Sequence, residues 1–278
     1  MSNAARGAVV RAAVVGHVEW ARFAQVEQVP AQGEIVTATD TWEEPAGGGA
    51  VAAGELVRLG AEVDFFVAVG NDELGRLARD ALEELGCRVH AATRDEPQRR
   101  AFTYLDGDGE RTITLMGSKL HPHGADPLPW AELAGVDAVY FSAGDPDALR
   151  AARQAGALVA TARELPTLVE AQVQLDALVR SGRDPSESYE SGLIDPEPSM
   201  IVSTMGREGG SYAVAGEEET YDAVELPGAL VDAYGAGDSF AAGLTFALGS
   251  GHSPEGAVEF AAKCGAVAMT RRGAHGNR

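Results

Sequence analysis

Val231-Asp-Ala-Tyr-Gly-Ala-Gly-Asp-Ser-Phe-Ala-Ala-Gly243 decides how the rest of the chain is arranged. In Gly235-Ala236-Gly237, two of the three residues lack a Cβ, so the backbone can turn tightly. From Asp238 onward the pattern is helical, with Phe240, Leu244, Ala247 and Leu248 on one face. A small-residue turn that opens a helix aims several unpaired N–H groups and the positive end of the helix dipole at one point, where an anion such as a phosphate is stabilised. Asp238 adds a carboxylate at that point, which phosphate binding alone does not explain. A carboxylate there fits a hydroxyl that loses its proton while attacking a phosphoryl group held over the amides.

The bulk numbers leave room for this chemistry. The 278 residues, 45% hydrophobic, suffice for one large α/β domain, or for one domain plus a small appendage. A net charge of −20 argues against nucleic acid and anionic membrane as partners. Cys87 and Cys264 are the only cysteines, which implies neither a disulfide framework nor a zinc site. No apolar run approaches the ~20 residues of a membrane span, and no secretory signal is visible, so the cytoplasm is the expected compartment.

Outward from the glycine turn the chain alternates. Strands are expected over Val9–Val15, Val63–Val69, Val136–Ser142, Leu158–Thr161, Leu175–Val179 and Met200–Thr204. Helices are expected from Gly47-Gly48-Gly49 to Leu59, from Asn71 or Asp72 to Leu85, and over Asp147–Gln154, Pro166–Gln172 and Pro185–Glu190. A helix from Pro254, capped by Ser253, to Thr270 closes the chain, after a hairpin of Ser211–Val214 and Thr220–Val224. Alternating strands and helices imply a parallel sheet covered on both faces, with ligands at the carboxyl ends of its strands. Two pieces break the rhythm. Phe23–Thr41 mixes apolar and polar residues around the turn Pro30-Ala31-Gln32-Gly33, and Arg100–Leu105 pairs with Arg111–Leu115 across Asp106-Gly-Asp-Gly109. They predict a small sheet that projects from the body.

Absent motifs narrow the chemistry: there is no P-loop, no H-E-x-x-H, no G-x-S-x-G and no dinucleotide fingerprint. His121-Pro-His123 is expected to be solvent-exposed. Thr204-Met-Gly206-Arg-Glu-Gly209-Gly210 follows a strand and is either a turn that needs glycine or a close backbone approach to a nucleotide.

The run D-x-x-G-A-G-D-x-F, from Asp232 to Phe240, resembles the second signature of the ribokinase-like (PfkB) family of sugar and nucleoside kinases. The T-x-G-x-x-G turn resembles that family's ATP-site turn, and Gly47-Gly48-Gly49 resembles its first signature, in the family's order along nearly the whole chain. The resemblance implies an α/β, ribokinase-like three-layer αβα sandwich with a mainly parallel sheet and a small projecting β-sheet lid. It implies one domain over residues 5–278, with lid pieces at about 19–45 and 98–116.

The implied activity is transfer of the γ-phosphoryl group of ATP to a hydroxyl of a sugar-like molecule. Asp238 is then the base, and the amides of Gly235, Ala236 and Gly237 steady the moving phosphoryl group. Thr204, Gly206, Gly209, Ala262 and Gly265 would hold ATP, together with Ser181 and Asp184, which stand where the family has N-x-x-E. Asp184 would reach Mg²⁺ through water, with Glu187 as the fallback acid. Substrate contacts would come from Glu19, Gly47, Gly48, Gly49, Arg99, Arg163 and Asp232, the last facing the acceptor or a nearby monovalent-cation (K⁺) site. Two family positions for sugar hydroxyls hold Val51 and Ala21 here, and Val51 cannot form a hydrogen bond through its side chain, so the acceptor is expected to be atypical. A homodimer through the β-lid is a further expectation. Two alternatives stay open: a nucleoside kinase of the same fold, and a sugar- or nucleotide-binding regulatory protein without catalysis.

Overall fold

The computed structural model of the chain describes residues 9–276. Residues 1–8 and 277–278, which include the outer ends expected for the domain, lie outside the described residues. The strands are Arg11–His17 (β1), Glu19–Gln25 (β2), Asp40–Ala46 (β3), Glu62–Gly70 (β4), Arg88–Arg94 (β5), Arg100–Leu105 (β6) and Arg111–Met116 (β7). They continue with Ala138–Phe141 (β8), Ala157–Thr161 (β9), Ala177–Ser181 (β10), Met200–Thr204 (β11), Gly210–Val214 (β12) and Glu217–Tyr221 (β13). The helices are Gly48–Arg58 (α1), Glu73–Glu84 (α2), Pro146–Ala152 (α3), Leu165–Ala171 (α4), Ala236–Gly249 (α5) and Pro254–Ala268 (α6).

Nine strands form the main sheet in the order β13-β12-β11-β10-β9-β8-β1-β4-β5. From β5 across to β11 neighbours are parallel; β12 and β13 add an antiparallel hairpin at one edge. Strand β1 shows why both faces are covered. Ala12 and Val14 point into one core with α1, α2, α5 and α6, while Ala13 and Val15 point into a second with α3 and α4. A strand buried on both sides reads as an unbroken apolar run, as this one does. The chain leaves β1 for β4 and β5 on one side and later crosses to β8 on the other. The β1/β8 seam is therefore the switch point where such sheets open a crevice.

The second sheet, order β3-β2-β6-β7, is the lid. Its hairpin β6–β7 lies where expected, but β2 and β3 lie outside the central part of the predicted 23–41 segment, which is mostly a loop with Ile35 fully exposed. Alternation explains the shift: in β2, Glu19, Ala21 and Phe23 point inward and alternate with the more exposed Trp20 and Arg22. Strand β5 has no counterpart among the expected elements; as an edge strand it holds a single fully buried residue, Ala92. The helix expected over Pro185–Glu190 is only a short 3₁₀ turn, Pro185–Glu187, capped by Asp184. Among the described residues no helix is long and apolar enough to cross a membrane.

Candidate active site

The site begins at the first turn of α5. Gly235 is left-handed (φ 72°) and sits on Val51; a Cβ there would come within 2.8 Å of Val51 Cγ1. No backbone hydrogen bond among the described residues satisfies the N–H groups of Gly235, Ala236 or Gly237. One turn inward, the carboxylate of Asp238 lies against the start of α1, where a Cβ on Gly48 would be 2.7 Å from Asp238 Oδ1. Burial pushes this carboxyl above its usual range; Arg163 and Arg111 oppose the shift, and Glu187 adds to it.

On one side of the turn lies a cavity of about 560 Å³. It is lined by Ala236 and Gly237 of α5, by Ala262, Gly265 and Ala266 of α6, and by Thr204, Gly206 and Gly209 at and just after the end of β11. Its wall is largely apolar, through Tyr221, Leu226, Leu230 and Phe240, the dimensions and character of a site for a flat ring with a polar tail. Ala261, the fourth small residue of this stretch of α6, is instead fully buried in the core. An adjoining cavity of about 460 Å³ shares Tyr221, Ala223, Val224 and Ala262, and Asp238 is in the lining of neither cavity.

On the other side of the turn the carboxyl ends of β1, β8 and β9 supply polar groups. His17 lies over the glycine run: a Cβ on Gly47 would be 3.0 Å from its Nε2. Burial, and the nearby Lys119, Arg99 and Arg163, push its imidazole down to about 3, so it is neutral and its 3.8 Å approach to Glu19 is no ion pair. Glu19 is buried and held by Arg99 at 3.3 Å. Arg163 follows β9 and donates to Glu187 at 2.6 Å, and Glu187 in turn accepts from the Ser181 N–H at 2.7 Å. Lys119 is bound to the buried Glu164.

This geometry can be set beside known proteins. The sequence pattern described as "pfkB family carbohydrate kinase" matches residues 11–181 and 144–277. The chain belongs to the pfkB family of carbohydrate kinases. It is thus a phosphotransferase that acts on an alcohol group of a sugar. It is similar to the Halopiger xanaduensis ATP-dependent ribose-1-phosphate kinase, 28% identical over 96% of this chain and 94% of that protein. It is also similar to the Arabidopsis thaliana ribokinase, 24% identical over 94% of this chain and 76% of that one. The solved structure of the Arabidopsis thaliana ribokinase complexed with ribose and ATP superposes with a TM-score of 0.71 at 21% identity, covering 95% of this chain and 94% of that one.

In this carbohydrate kinase the residues singled out from sequence divide in two. Asp238, the Gly235–Gly237 turn, Gly47–Gly49, Glu19, Arg99 and Arg163 converge, and Thr204, Gly206, Gly209, Ala262 and Gly265 share the cavity. Ser181 pairs in register with Thr204, which lines the cavity. Two acids do not behave as expected. Asp232 is 1% exposed, and its oxygens accept from the N–H groups of Tyr234 and Gly273, so of the two roles expected for it, the contact with the acceptor is the one this placement opposes. Asp184 accepts from Ser186 and caps the 3₁₀ turn, which leaves Glu187 as the inward carboxylate.

Val51 and Ala21 are buried in an apolar cluster with Phe23, Ala46 and Tyr234 that joins lid to body, so two sugar-facing positions implied by the resemblance have become core. His121 is half-buried beside the cleft rather than exposed, while His123 is exposed. His17, Lys119 and Tyr234 were not among the expected site residues; Lys119 had one signal, being one of the chain's two lysines. Among the described residues one group has metal-ligand spacing, Asp64, His90 and Glu132, but Arg88 lies 2.9 Å from Asp64 and the group sits near the amino ends of β4 and β5, away from the cleft.

Proposed function

We propose that this chain transfers the γ-phosphoryl group of ATP to a hydroxyl of a sugar or sugar-like molecule, with Asp238 as general base. The observation that carries the reading is the placement of Asp238. Its carboxylate makes none of the side-chain hydrogen bonds found among the described residues, is pushed toward a higher pKa by burial, and lies against the start of α1, directly after Ala236 and Gly237, which line the large cavity. A relative described as ATP-dependent and a similar fold solved with ATP support ATP as the donor.

The steps follow from the residues. ATP lies in the cavity with its phosphates toward Ala236 and Gly237, where unpaired N–H groups and the α5 dipole favour negative charge. The acceptor hydroxyl approaches from the His17–Glu19 side. Asp238 takes its proton as the oxygen bonds to the γ-phosphorus and the bond to the ADP oxygen breaks. Charge building on the phosphoryl oxygens is stabilised by the same amides. Arg163 opposes the effect of burial on Asp238 and favours its ionised form, the form that can accept a proton.

The donor set suits Mg²⁺ only as an indirectly held ion. Glu187 has both oxygens occupied, by Arg163 and by the Ser181 N–H, and Asp184 is engaged in capping. Ser181, Asp184 and Glu187 would therefore orient waters of a Mg²⁺ ion that ATP carries in, and the ion when bound neutralises phosphate charge.

Asp238→Asn is the test. With Mg-ATP and an acceptor that the wild type uses, kcat should fall by ~10²–10⁴ while ATP affinity persists. Undiminished turnover would remove Asp238 from the mechanism.

A further inference from the structure

We infer that the acceptor of this kinase carries its own anionic group, a phosphate or a carboxylate, and that Lys119, Arg99 and Arg163 hold it beside His17. The inference rests on the kinase reading above and names the class of molecule that site takes.

Three cations from three separate segments converge here: Arg99 before β6, Lys119 after β7 and Arg163 after β9. Arg99 lies 3.3 Å from Glu19, which itself approaches His17 to 3.8 Å, and Lys119 and Arg163 act electrostatically on both His17 and Glu19, at the carboxyl end of β1. The chain as a whole does the opposite, with a net charge of −20 and only two lysines, so one of its two lysines stands at this spot. Each cation is steadied by a glutamate, Arg99 by Glu19, Lys119 by Glu164 and Arg163 by Glu187, with Asp184 also 3.7 Å from Arg163. The glutamates are buried, which fixes the geometry of the cations, yet the ammonium of Lys119 has three donors and each guanidinium five, more than one carboxylate can take up.

Four buried polar atoms around the same point have no hydrogen-bond partner among the described residues: His17 Nδ1, Arg99 Nε, His121 Nδ1 and Ser142 Oγ. A buried N–H donor on a guanidinium is costly to leave unmatched, so the pocket is shaped for an acceptor atom that arrives with a ligand. A neutral sugar is normally gripped by polar groups that share both donors and acceptors. The apolar residues Val51 and Ala21 at lid-facing positions supply neither. Guanidinium and ammonium groups in a partly desolvated cleft instead favour phosphate or carboxylate oxygens.

Binding and turnover are measured separately. Isothermal titration in the presence of Mg-ADP compares ribose 1-phosphate, ribose 5-phosphate and gluconate with ribose and fructose. At least one anionic ligand should bind on the order of tenfold tighter than the neutral sugars, or more. Lys119→Met/Glu164→Gln, which removes the cation without stranding its buried carboxylate, should erase that preference, and so should Arg99→Met. Phosphate and carboxylate ligands identify which anion the pocket prefers. Neutral sugars binding as tightly as anionic ones, no binding by any of the five, or a preference that survives in both variants would each overturn the inference. ADP release is then assayed with the bound ligands. Tight anion binding without ADP release from any of them would leave the anion subsite standing and count against the kinase reading instead.

Discussion

Arg163 and burial pull one carboxyl in opposite directions. Burial raises the pKa of Asp238 and Arg163 is the largest influence lowering it. A general base works when deprotonated, so activity climbs as pH rises through this pKa. Arg163→Gln removes the lowering influence, and the acidic limb of the kcat/KM profile should move to higher pH; an unmoved limb would show that Arg163 does not act on the base. The same carboxyl affects stability. Its folded pKa is raised, so the folded state takes up the proton more readily than the unfolded chain does. The ionised form therefore costs stability at neutral pH; the cost fades as pH falls through the raised folded pKa and is gone below the unfolded value. Asp238→Asn should raise Tm by a few degrees at pH 7.5 and by much less at pH 4, as read in thermal melts.

The start of α1 separates two roles that adjacent glycines play within one element. A Cβ on Gly48 would meet the Asp238 carboxylate at 2.7 Å, whereas one on Gly49 would meet the His17 backbone, 2.6 Å from its O and 2.9 Å from its N. A side-chain end can swing aside and a strand cannot. Gly48→Ala should therefore leave Tm near wild type and lower kcat by displacing the base, while Gly49→Ala should lose about 1–3 kcal/mol in a denaturant titration. Equal losses of stability in both would contradict this assignment. The alternating elements were legible because their signals are local: Asp72 caps α2 by accepting from the Gly75 N–H, and Ser253 caps α6 by accepting from the Gly256 N–H. Strand β5 was not, because Arg-Val-His-Ala-Ala-Thr-Arg carries only one fully buried residue and gains its ladder from β4 alone.

At the scale of the whole molecule, the C-terminal tail ties lid to body. Arg271 pairs with Glu55 of α1, Arg272 stacks 3.6 Å over Trp42 of the lid and pairs with Asp40, and the N–H groups of Gly273 and Ala274 reach Asp232 and Glu44. Trp42 also stacks on Phe23 at 4.9 Å. The stacking holds two lid strands together, and the cation contact is worth on the order of 1–2 kcal/mol of lid attachment. Trp42→Ala should raise the acceptor KM about tenfold by that measure and leave the ATP KM nearly unchanged, since the nucleotide cavity contains no lid strand.

The sequence by itself determined the αβα sandwich, the lid hairpin β6–β7, the turn that opens α5 and the carboxylate within it, because periodicity, caps and a glycine-bracketed turn are written in consecutive residues. Tertiary structure alone decided that Asp232 turns inward, that Val51 and Ala21 become core, and that His17, Arg99, Lys119 and Arg163 meet. His17 ends β1 and Arg163 follows β9, whereas Arg99 and Lys119 flank the lid hairpin β6–β7, so only the packing of the lid over the carboxyl ends of the parallel strands brings these three cations to the neutral imidazole.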